Sequence, residues 1–473
     1  MEFETVVGLE IHVEMNTKSK MFSSAPIIFN APSNTYVEPL DMAFPGTMPV
    51  ANKQAVIIAI RMSNALHMAI DDYIIFDRKN YFYSDLAKGY QLTQHFRPIG
   101  TNGYLTFNYN GEERVIHIER LHMEEDTCKQ IHSGEYTYLD FNRSGVPLIE
   151  IVTKPEIRNG EEASLFVEQI RSIATFLGVS RGRMEDGNIR VDVNVSLREK
   201  NSNKPGKKVE IKNINSFSNI KTAIESEIDR QTKILLSGKP VKQETRKYDD
   251  VKRQTVGLRN KDDEVDYRFF TDPNITPIRL SKEFIEGAIR TSPELADARK
   301  ARYIKLGLTE YDASIIVLDK ETSDYFDEGL KSGCSAKLLA NWIITDVLSI
   351  LNKKNITISE FPIPSSELSK LVLSIEKRTI NSKQAKDIFS KMISCKKSFD
   401  EILKEINIKQ VSDDEILLLI KKIIDNEPQL VVDYKSGKDK VVGHIVGQVM
   451  KLTQGNANPV TTNKLTIEEL KRR

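Results

Sequence analysis

The stretch VVGLEIHVEMNTKSKMF, residues 6–22, opens in strict alternation: Val7, Leu9, Ile11 and Val13 fall on one side, Glu10, His12 and Glu14 on the other. A period of two predicts a half-buried β-strand. What fills its polar side is unusual. Two carboxylates and an imidazole in successive same-side positions line up oxygen and nitrogen donors, and such a row can hold a hard divalent cation. A solvated strand face with ordinary charges is the plain alternative, and this stretch alone does not choose between them.

Working outward, residues 1 to about 290 repeat the pattern. YLTFNYN, RVIHIERLHM, YTYLDFN, LIEIVTK, NIRVDVNVSLR and KVEIKNI are short alternating runs. Asn102-Gly103, Asn110-Gly111, Ser144-Gly145 and Asp186-Gly187 read as the turns between them. Two amphipathic helices interrupt the strands, EEASLFVEQIRSIATFLG with Gly178 as its stop and SNIKTAIESEIDRQTKILLSGK. The stretch 31–53 is Pro-rich and reads as a loop.

Further acids join the first strand's row. HMEEDTCK places Glu124, Glu125 and Asp126 together, PLIEIV carries Glu150 among aliphatics, and IRVDVNVSLR carries Asp192. An acid such as Glu150 is costly to bury alone, so it is expected to be paired or liganded, with Arg143 or Arg190 as the ordinary partner. Carboxylates on several strands together with His12 suit metal-assisted phosphoryl chemistry, in which cations neutralise developing charge and arginines clamp the moving group. There is no GxxxxGK[ST] loop and no protein-kinase signature, so any ATP would be held by a sheet-based carboxylate–metal site. In YFYSDLAKGYQLTQHFRPIG (81–100), aromatic rings stand beside Lys88, Gln91 and Gln94. That mix suits a nucleobase and phosphates, or simply a packed surface loop.

Composition narrows the class. The 473 residues are too many for one core, so two to four domains are expected. With 68 basic against 67 acidic residues the chain is no polyanion sponge, and any nucleic-acid contact must be local. Cys128, Cys334 and Cys395 are scattered without a CxxC pair. This favours a reducing, cytoplasmic setting, with each cysteine expected to be a small buried hydrophobe. No apolar run reaches membrane-spanning length, and MEFETVVGLE is neither a signal nor a transit peptide.

Near Ser292-Pro293 strand alternation gives way to helical spacing. Trp342 lies in an apolar helix and reads as core, and NKKNITISEFPIP (352–364) reads as a linker. The last segment sets the stripe Val442, Ile445, Val446 and Val449 among Lys435, Lys438, Lys440 and Lys451, a candidate RNA-backbone reader or a solvated charged face.

VVGLEIHVEM, YSDLAKGYQLTQ, LDFNRSGVPLIEIVTKPEI, NIRVDVNVSLR, VEIKNINSF and GHIVGQVMKLTQGNANP together resemble the B-subunit family of bacterial aspartyl/glutamyl-tRNA amidotransferases, in that family's order over essentially the whole chain. The resemblance implies an α+β architecture in three parts. These are a β-rich cradle similar to glutamine synthetase (1–292), an all-α helical domain (293–408) and a small helical YqeY-like tail (409–473). It also implies an ATP- and Mg²⁺-dependent ligase that phosphorylates the side-chain carboxylate of Glu on tRNA(Gln), or Asp on tRNA(Asn), before ammonia displaces the phosphate. Ammonia would come from a glutaminase A subunit, fastened by a small C subunit. Glu10, His12, Glu124, Glu125, Glu150 and Asp192 then become candidate metal ligands, with Glu10, His12, Glu125 and Asp192 at the catalytic centre. Lys88, Tyr90 and Arg190 become candidate ATP or phosphate contacts. Lys438, Lys440 and Lys451 would meet tRNA.

Many relatives of this kind carry cysteines after the first strand. Here MFSSAPIIFNAPSNTYVEPLDMAFPG has none, so no structural zinc is expected. Ser84 and Ala87 also stand where prolines are usual. A non-catalytic tRNA-binding scaffold and the archaeal tRNA(Gln)-specific relative are the competing readings. The retained acids weigh against the first, and the absence of room for an inserted domain near residue 290 weighs against the second.

Overall fold

A computed structural model describes residues 2–200, 204–260, 266–406, 412–438, 440–453 and 457–473. The chain forms two units, 1–296 and 297–473. The first unit opens with β1 (Phe3–Glu14), α1 (Lys53–Ala65), β2 (Ala69–Ile70), β3 (Tyr73–Ile74), β4 (Asp77–Asn80) and β5 (Tyr90–Thr93). Then come β6 (Gly100–Tyr109), β7 (Glu112–Glu125), β8 (Lys129–Ser133), β9 (Tyr136–Asp140), β10 (Pro147–Thr153) and α2 (Gly160–Phe176). It closes with β11 (Ile189–Glu199), β12 (Val209–Ile214), α3 (Phe217–Leu236), β13 (Glu244–Asp249), β14 (Gln254–Asn260), β15 (Phe270–Thr271), β16 (Ile278–Arg279) and α4 (Lys282–Arg290).

Among the described residues nine strands make one mixed sheet, in the order β14-β13-β12-β11-β1-β10-β7-β6-β2, with only β12 and β13 running parallel. The opening stretch is its central strand. Val7, Leu9, Ile11 and Val13 are fully buried with Ile58 of α1, Phe166 of α2 and Ile224 of α3 in one apolar cluster. Each such side chain contributes about 1.5–3 kcal/mol, so the register of β1 is fixed by what lies beneath it. A slip of one residue would turn His12 into the core.

Local sequence sets the ends of the elements. Asn159 caps α2 by accepting from the Glu162 backbone N–H, with Glu161 and Glu162 in the first turn. Gly178 follows its end at φ +69°, a left-handed conformation natural to glycine. Asn110 and Gly111 are both left-handed and join β6 to β7. Asn102-Gly103 is not a turn, contrary to expectation: it lies inside β6. Glycine is needed there for close approach, because a Cβ on Gly103 would come within 2.4 Å of the Leu66 carbonyl oxygen.

The irregular stretch after β1 is closed by buried charge. Lys20 donates from Nζ to Asp41 Oδ2 and to the Phe141 carbonyl, each at 3.0 Å, while Ser23 Oγ donates to Asp41 Oδ1 at 2.9 Å. Burial pushes the Lys20 ammonium down from its ordinary pKa, with Asp41 opposing that fall. Lys20→Met strands the Asp41 carboxylate. We expect a loss of about 3 kcal/mol, the low end for breaking a buried pair, read as a lower urea midpoint at unchanged slope.

The second unit is helical. It comprises α5 (Ala296–Lys305), which starts at the boundary, α6 (Glu310–Ile316), α7 (Lys320–Leu330), α8 (Ala336–Trp342), a π-turn at Ile343–Val347 and α9 (Leu348–Lys354). It continues with α10 (Ser365–Glu376), α11 (Ser382–Cys395), α12 (Phe399–Ile406), α13 (Asp413–Asn426), α14 (Gln429–Lys435), α15 (Lys440–Leu452) and α16 (Pro459–Arg472). Two separate apolar clusters serve it, one drawn from residues between Tyr303 and Ile402, the other from residues between Ile416 and Leu470. Trp342 is buried in the first. The stretch 352–364 is no free linker, because Ile358, Phe361 and Ile363 pack into that same cluster. Cys128 and Cys334 are buried as expected; Cys395, at the end of α11, is exposed. Among the described residues no helix is long and apolar enough to cross a membrane.

Candidate active site

The polar side of β1 faces away from the core, and strand register extends it into a lattice. Directly paired residues share a face. His12 of β1 stands opposite Glu150 of β10 on one side and Arg190 of β11 on the other, and Glu150 stands opposite His122 of β7. One line of the sheet therefore reads His122, Glu150, His12, Arg190. Two residues back along β1, Glu10 stands opposite Asp192.

Three of the expected acid and imidazole ligands meet in the first group. His12 Nε2 lies 3.6 Å from Glu124 Oε1 and 3.4 Å from Glu150 Oε2. His122 joins them, its Nε2 lying 3.3 Å from Glu150 Oε2 and 3.8 Å from Glu124 Oε2. Glu150 is thus not paired with Arg143 or Arg190; its partners are two imidazoles. Burial alone would push both rings down, but Glu150 and Glu124 outweigh it and hold His12 and His122 at about 9. Burial likewise works to raise the Glu150 carboxyl, and the two imidazoles hold it well below the usual range. His122 Nδ1 is buried and finds no hydrogen-bond partner among the described residues.

Glu10 and Asp192 meet in a second group with Glu210 of β12. Lys212 Nζ sits 2.6 Å from Asp192 Oδ2 and 3.1 Å from Glu210 Oε1, and Asn194 Nδ2 donates to Glu10 Oε1 at 2.9 Å. Burial works to lower the Lys212 ammonium; Asp192 and Glu210 override it and drive its pKa upward. Three carboxylates against one ammonium leave a deficit of two positive charges, which one divalent ion would fill. An all-oxygen set of this kind fits Mg²⁺, while the first group adds imidazole nitrogen.

The remaining expected residues lie elsewhere. Glu125 stands outside both groups. Its carboxylate pairs with Lys88 and accepts from the Leu92 backbone N–H at 3.0 Å, while Gln91 Nε2 donates to its carbonyl at 2.7 Å. Lys88 is thereby held by Glu125 rather than free, and Tyr90 lies under the Arg78 guanidinium, 4.0 Å from its ring centroid. Arg190 is paired with Asp126, and Arg143 Nε approaches the same carboxylate at 3.6 Å. Burial would raise the Asp126 carboxyl, but the two guanidinium groups bring it below its ordinary value. Arg190, Arg143 and Arg181 also line a cavity of about 490 Å³ that begins at Glu14.

The GatB/GatE catalytic domain family matches residues 5–286 of this chain, and the GatB domain family matches residues 324–470. The chain belongs to the GatB family. It is similar to proteins named as the B subunit of aspartyl/glutamyl-tRNA(Asn/Gln) amidotransferase in three organisms. The Mesoplasma florum protein is 46% identical over 460 residues, spanning 97% of this chain and 96% of that one. The Persephonella marina protein is 46% identical over 474 residues and the Bacillus cytotoxicus protein 44% over 476, each covering the whole of both chains.

Sequence reading of this GatB-family chain left out His122, Glu210 and Lys212. The signal for them was the same alternation that exposed Glu10 and His12. His122 falls on the Glu124 side of RVIHIERLHMEE, and Glu210 and Lys212 alternate with Val209 and Ile211. A cation that takes a His12 nitrogen must displace a proton held until pH about 9. Binding at the first group should therefore release at least one proton, with affinity rising about tenfold per pH unit from 6.5 towards 9. Calorimetry of Mn²⁺ binding in buffers of different ionisation enthalpy checks this; equal heats would mean that His12 is not a ligand.

Proposed function

We propose that this chain activates a side-chain carboxylate for amidation, as the B subunit of a tRNA-dependent amidotransferase. It phosphorylates the side chain of Glu on tRNA(Gln), or of Asp on tRNA(Asn), with ATP. Ammonia supplied by a glutaminase A subunit then displaces phosphate, and a small C subunit joins the two. The enzyme is a ligase of the cytoplasm. The observation that carries this reading is the pair of acidic groups side by side on one sheet face, in a chain of the GatB family.

A carboxylate is a poor electrophile, because its charge repels the nucleophile and its oxygen is no leaving group; an acyl phosphate removes both obstacles. Glu124, Glu150 and His12 would hold one divalent ion, Mg²⁺ by preference, and Glu10, Asp192 and Glu210 another. When bound, such ions supply charge neutralisation between nucleotide phosphate and substrate carboxylate. The chain's own side chains do the rest. Asp126 fixes the Arg190 and Arg143 guanidinium groups toward the cavity, where they would meet phosphate oxygens. Glu125 orders Lys88 together with Gln91 and Leu92 of β5, so this part of the 81–100 segment is held against β7. Buried Glu124, Glu125 and Asp126 mark a floor closed to bulk water, which suits an intermediate that water would destroy.

In this reading residues 1–292 form a cradle of the glutamine synthetase kind and 293–408 a helical connector. Residues 409–473 form the tail that meets the tRNA body through Lys438, Lys440 and Lys451. Support for the tail comes from its own apolar cluster and from the exposure of all three lysines.

The test assembles the three subunits with Glu-tRNA(Gln) or Asp-tRNA(Asn), ATP and glutamine, and follows amidated tRNA. Replacing glutamine by ammonium chloride isolates the present chain's share. ATP-dependent amidation is expected with either nitrogen source. Absence of amidation from free ammonia, while the partner still hydrolyses glutamine, would overturn the reading.

A further inference from the structure

The proposed chemistry does not use the hydroxyl that grips Glu210 from β13. Thr245 is 1% exposed, and its Oγ1 donates to Glu210 Oε2 at 2.9 Å. The Lys212 ammonium stands at the other oxygen, 3.1 Å from Oε1. One carboxylate is thus held at both oxygens, by a cation and by a neutral donor. The two holds differ in kind. An ammonium sits where a metal cation would and gives way to one, whereas a hydroxyl hydrogen bond persists beside a bound ion and aims its ligand. The Glu210 side chain is itself only 11% exposed, so protein donors rather than bulk water decide where it points.

The contact comes from the one parallel pairing in the sheet of the described residues. β12, α3 and β13 form a strand–helix–strand crossover, and Glu210 and Thr245 are register partners across it. α3 locks β13 from the opposite face. Its Glu227 is fully buried and accepts from Arg230 Nε at 2.9 Å, Arg230 Nη2 at 2.7 Å and Gln231 Nε2 at 2.8 Å. Thr255 of β14 donates to the same carboxylate at 2.8 Å. Arg246, the next residue after Thr245, donates to Thr255 Oγ1 at 2.9 Å and to the Thr255 carbonyl at 2.8 Å. β13 is therefore pinned to β14 and α3 one residue from Thr245. A β-branched side chain on a strand so held has little freedom at χ1, and its hydroxyl is delivered to one place.

We propose that Thr245 is a positioning residue for the second acidic group: its hydroxyl fixes the Glu210 carboxylate, so that Glu10, Asp192 and Glu210 meet a divalent ion as a preformed set. The proposal rests on the ion assigned to that group above, and adds a residue that touches neither ion nor substrate. Ligand atoms of the three acids lie within 4.8 Å of one another. Like charges at that range repel, and they stay together only where donors hold them. Lys212 supplies the balancing charge, 2.6 Å from Asp192 Oδ2. Direction comes from neutral donors, Asn194 Nδ2 on Glu10 Oε1 at 2.9 Å and Thr245 on Glu210. Asn194 is half-buried, so water can replace it; Thr245 is sealed in, and its loss has no substitute.

The experiment titrates the full chain with Mn²⁺, followed by electron paramagnetic resonance. Thr245→Val keeps nearly the same shape, suits a strand and loses the donor; Thr245→Ser keeps the donor. Glu210→Ala and the double variant Glu210→Ala/Thr245→Val complete the set. Loss of a hydrogen bond to a ligand costs about tenfold to a hundredfold in metal affinity. Thr245→Val should weaken by that factor the same ion that Glu210→Ala weakens, and Thr245→Ser should bind it as wild type does. The double variant should bind no worse than Glu210→Ala alone, because Thr245 acts through Glu210. A wild-type titration by Thr245→Val would overturn the proposal. So would equal losses in the valine and serine variants, which would mean packing rather than the hydroxyl, or a further loss in the double variant. If Glu210→Ala itself titrated as wild type, the second group would hold no ion, and the reading beneath the proposal would fall with it; the two failures are thus told apart.

Discussion

Replacing Glu150 by alanine is expected to lower amidation by at least about a hundredfold, the scale on which charge-stabilising groups act in transition states. Glu150 is the only carboxylate of the described residues that stands in register between two histidines, and its Oε2 is shared by both. Its removal takes one proposed ligand from the first group. It also leaves two imidazoles with Glu124 alone to balance them, so both rings should fall from about 9 toward their ordinary range. Buried groups lose their partner as well, and a stability loss of about 3 kcal/mol is expected. Glu150→Gln separates the two effects, because it keeps the shape and loses the charge. It should fold better than the alanine variant and amidate as poorly. Glutamine hydrolysis by the glutaminase partner reports that the complex remains assembled. Wild-type amidation by Glu150→Gln would mean that the first group holds no cation.

The second large effect is expected at Asp192, and it comes with an opposite at Lys212. Three carboxylates and one ammonium share this group. Asp192→Asn removes one negative charge and one proposed ligand, so cation affinity there should fall about tenfold to a hundredfold. Lys212→Met removes the ammonium that now occupies the carboxylates. Affinity should rise by about tenfold, since a bound cation no longer competes with a charge 2.6 Å from Asp192. Manganese titration followed by electron paramagnetic resonance reads both variants on the intact chain. Equal titrations for wild type and both variants would show that Glu10, Asp192 and Glu210 are a structural cluster only.

Much of the candidate site was legible because period two is a local property. The backbone of a strand decides by itself which side chains share a face. Glu10 and His12 could therefore be read as neighbours from VVGLEIHVE, and Asp192 and Asn194 from IRVDVNVSLR. Turn and breaker residues were less dependable guides: at Asn102-Gly103 the glycine answers a long-range contact with Leu66 rather than a turn. At 352–364 prolines suggested a linker while Ile358, Phe361 and Ile363 were core.

What the sequence determined by itself is the first strand, the sidedness of its two faces, the helix stop at Gly178, and membership in a family through long motifs. Which acids meet is a different matter. Glu150 finds His122 and His12, Lys88 finds Glu125, and Asp192 finds Lys212 and Glu210. These partners follow from the order β12-β11-β1-β10-β7 and from the register between those strands. Order and register come from burying one shared apolar face against α1, α2 and α3, a cooperative demand of the whole core. No short stretch of chain encodes that demand, so only the tertiary structure could divide six candidate ligands into two groups and leave Glu125 outside both.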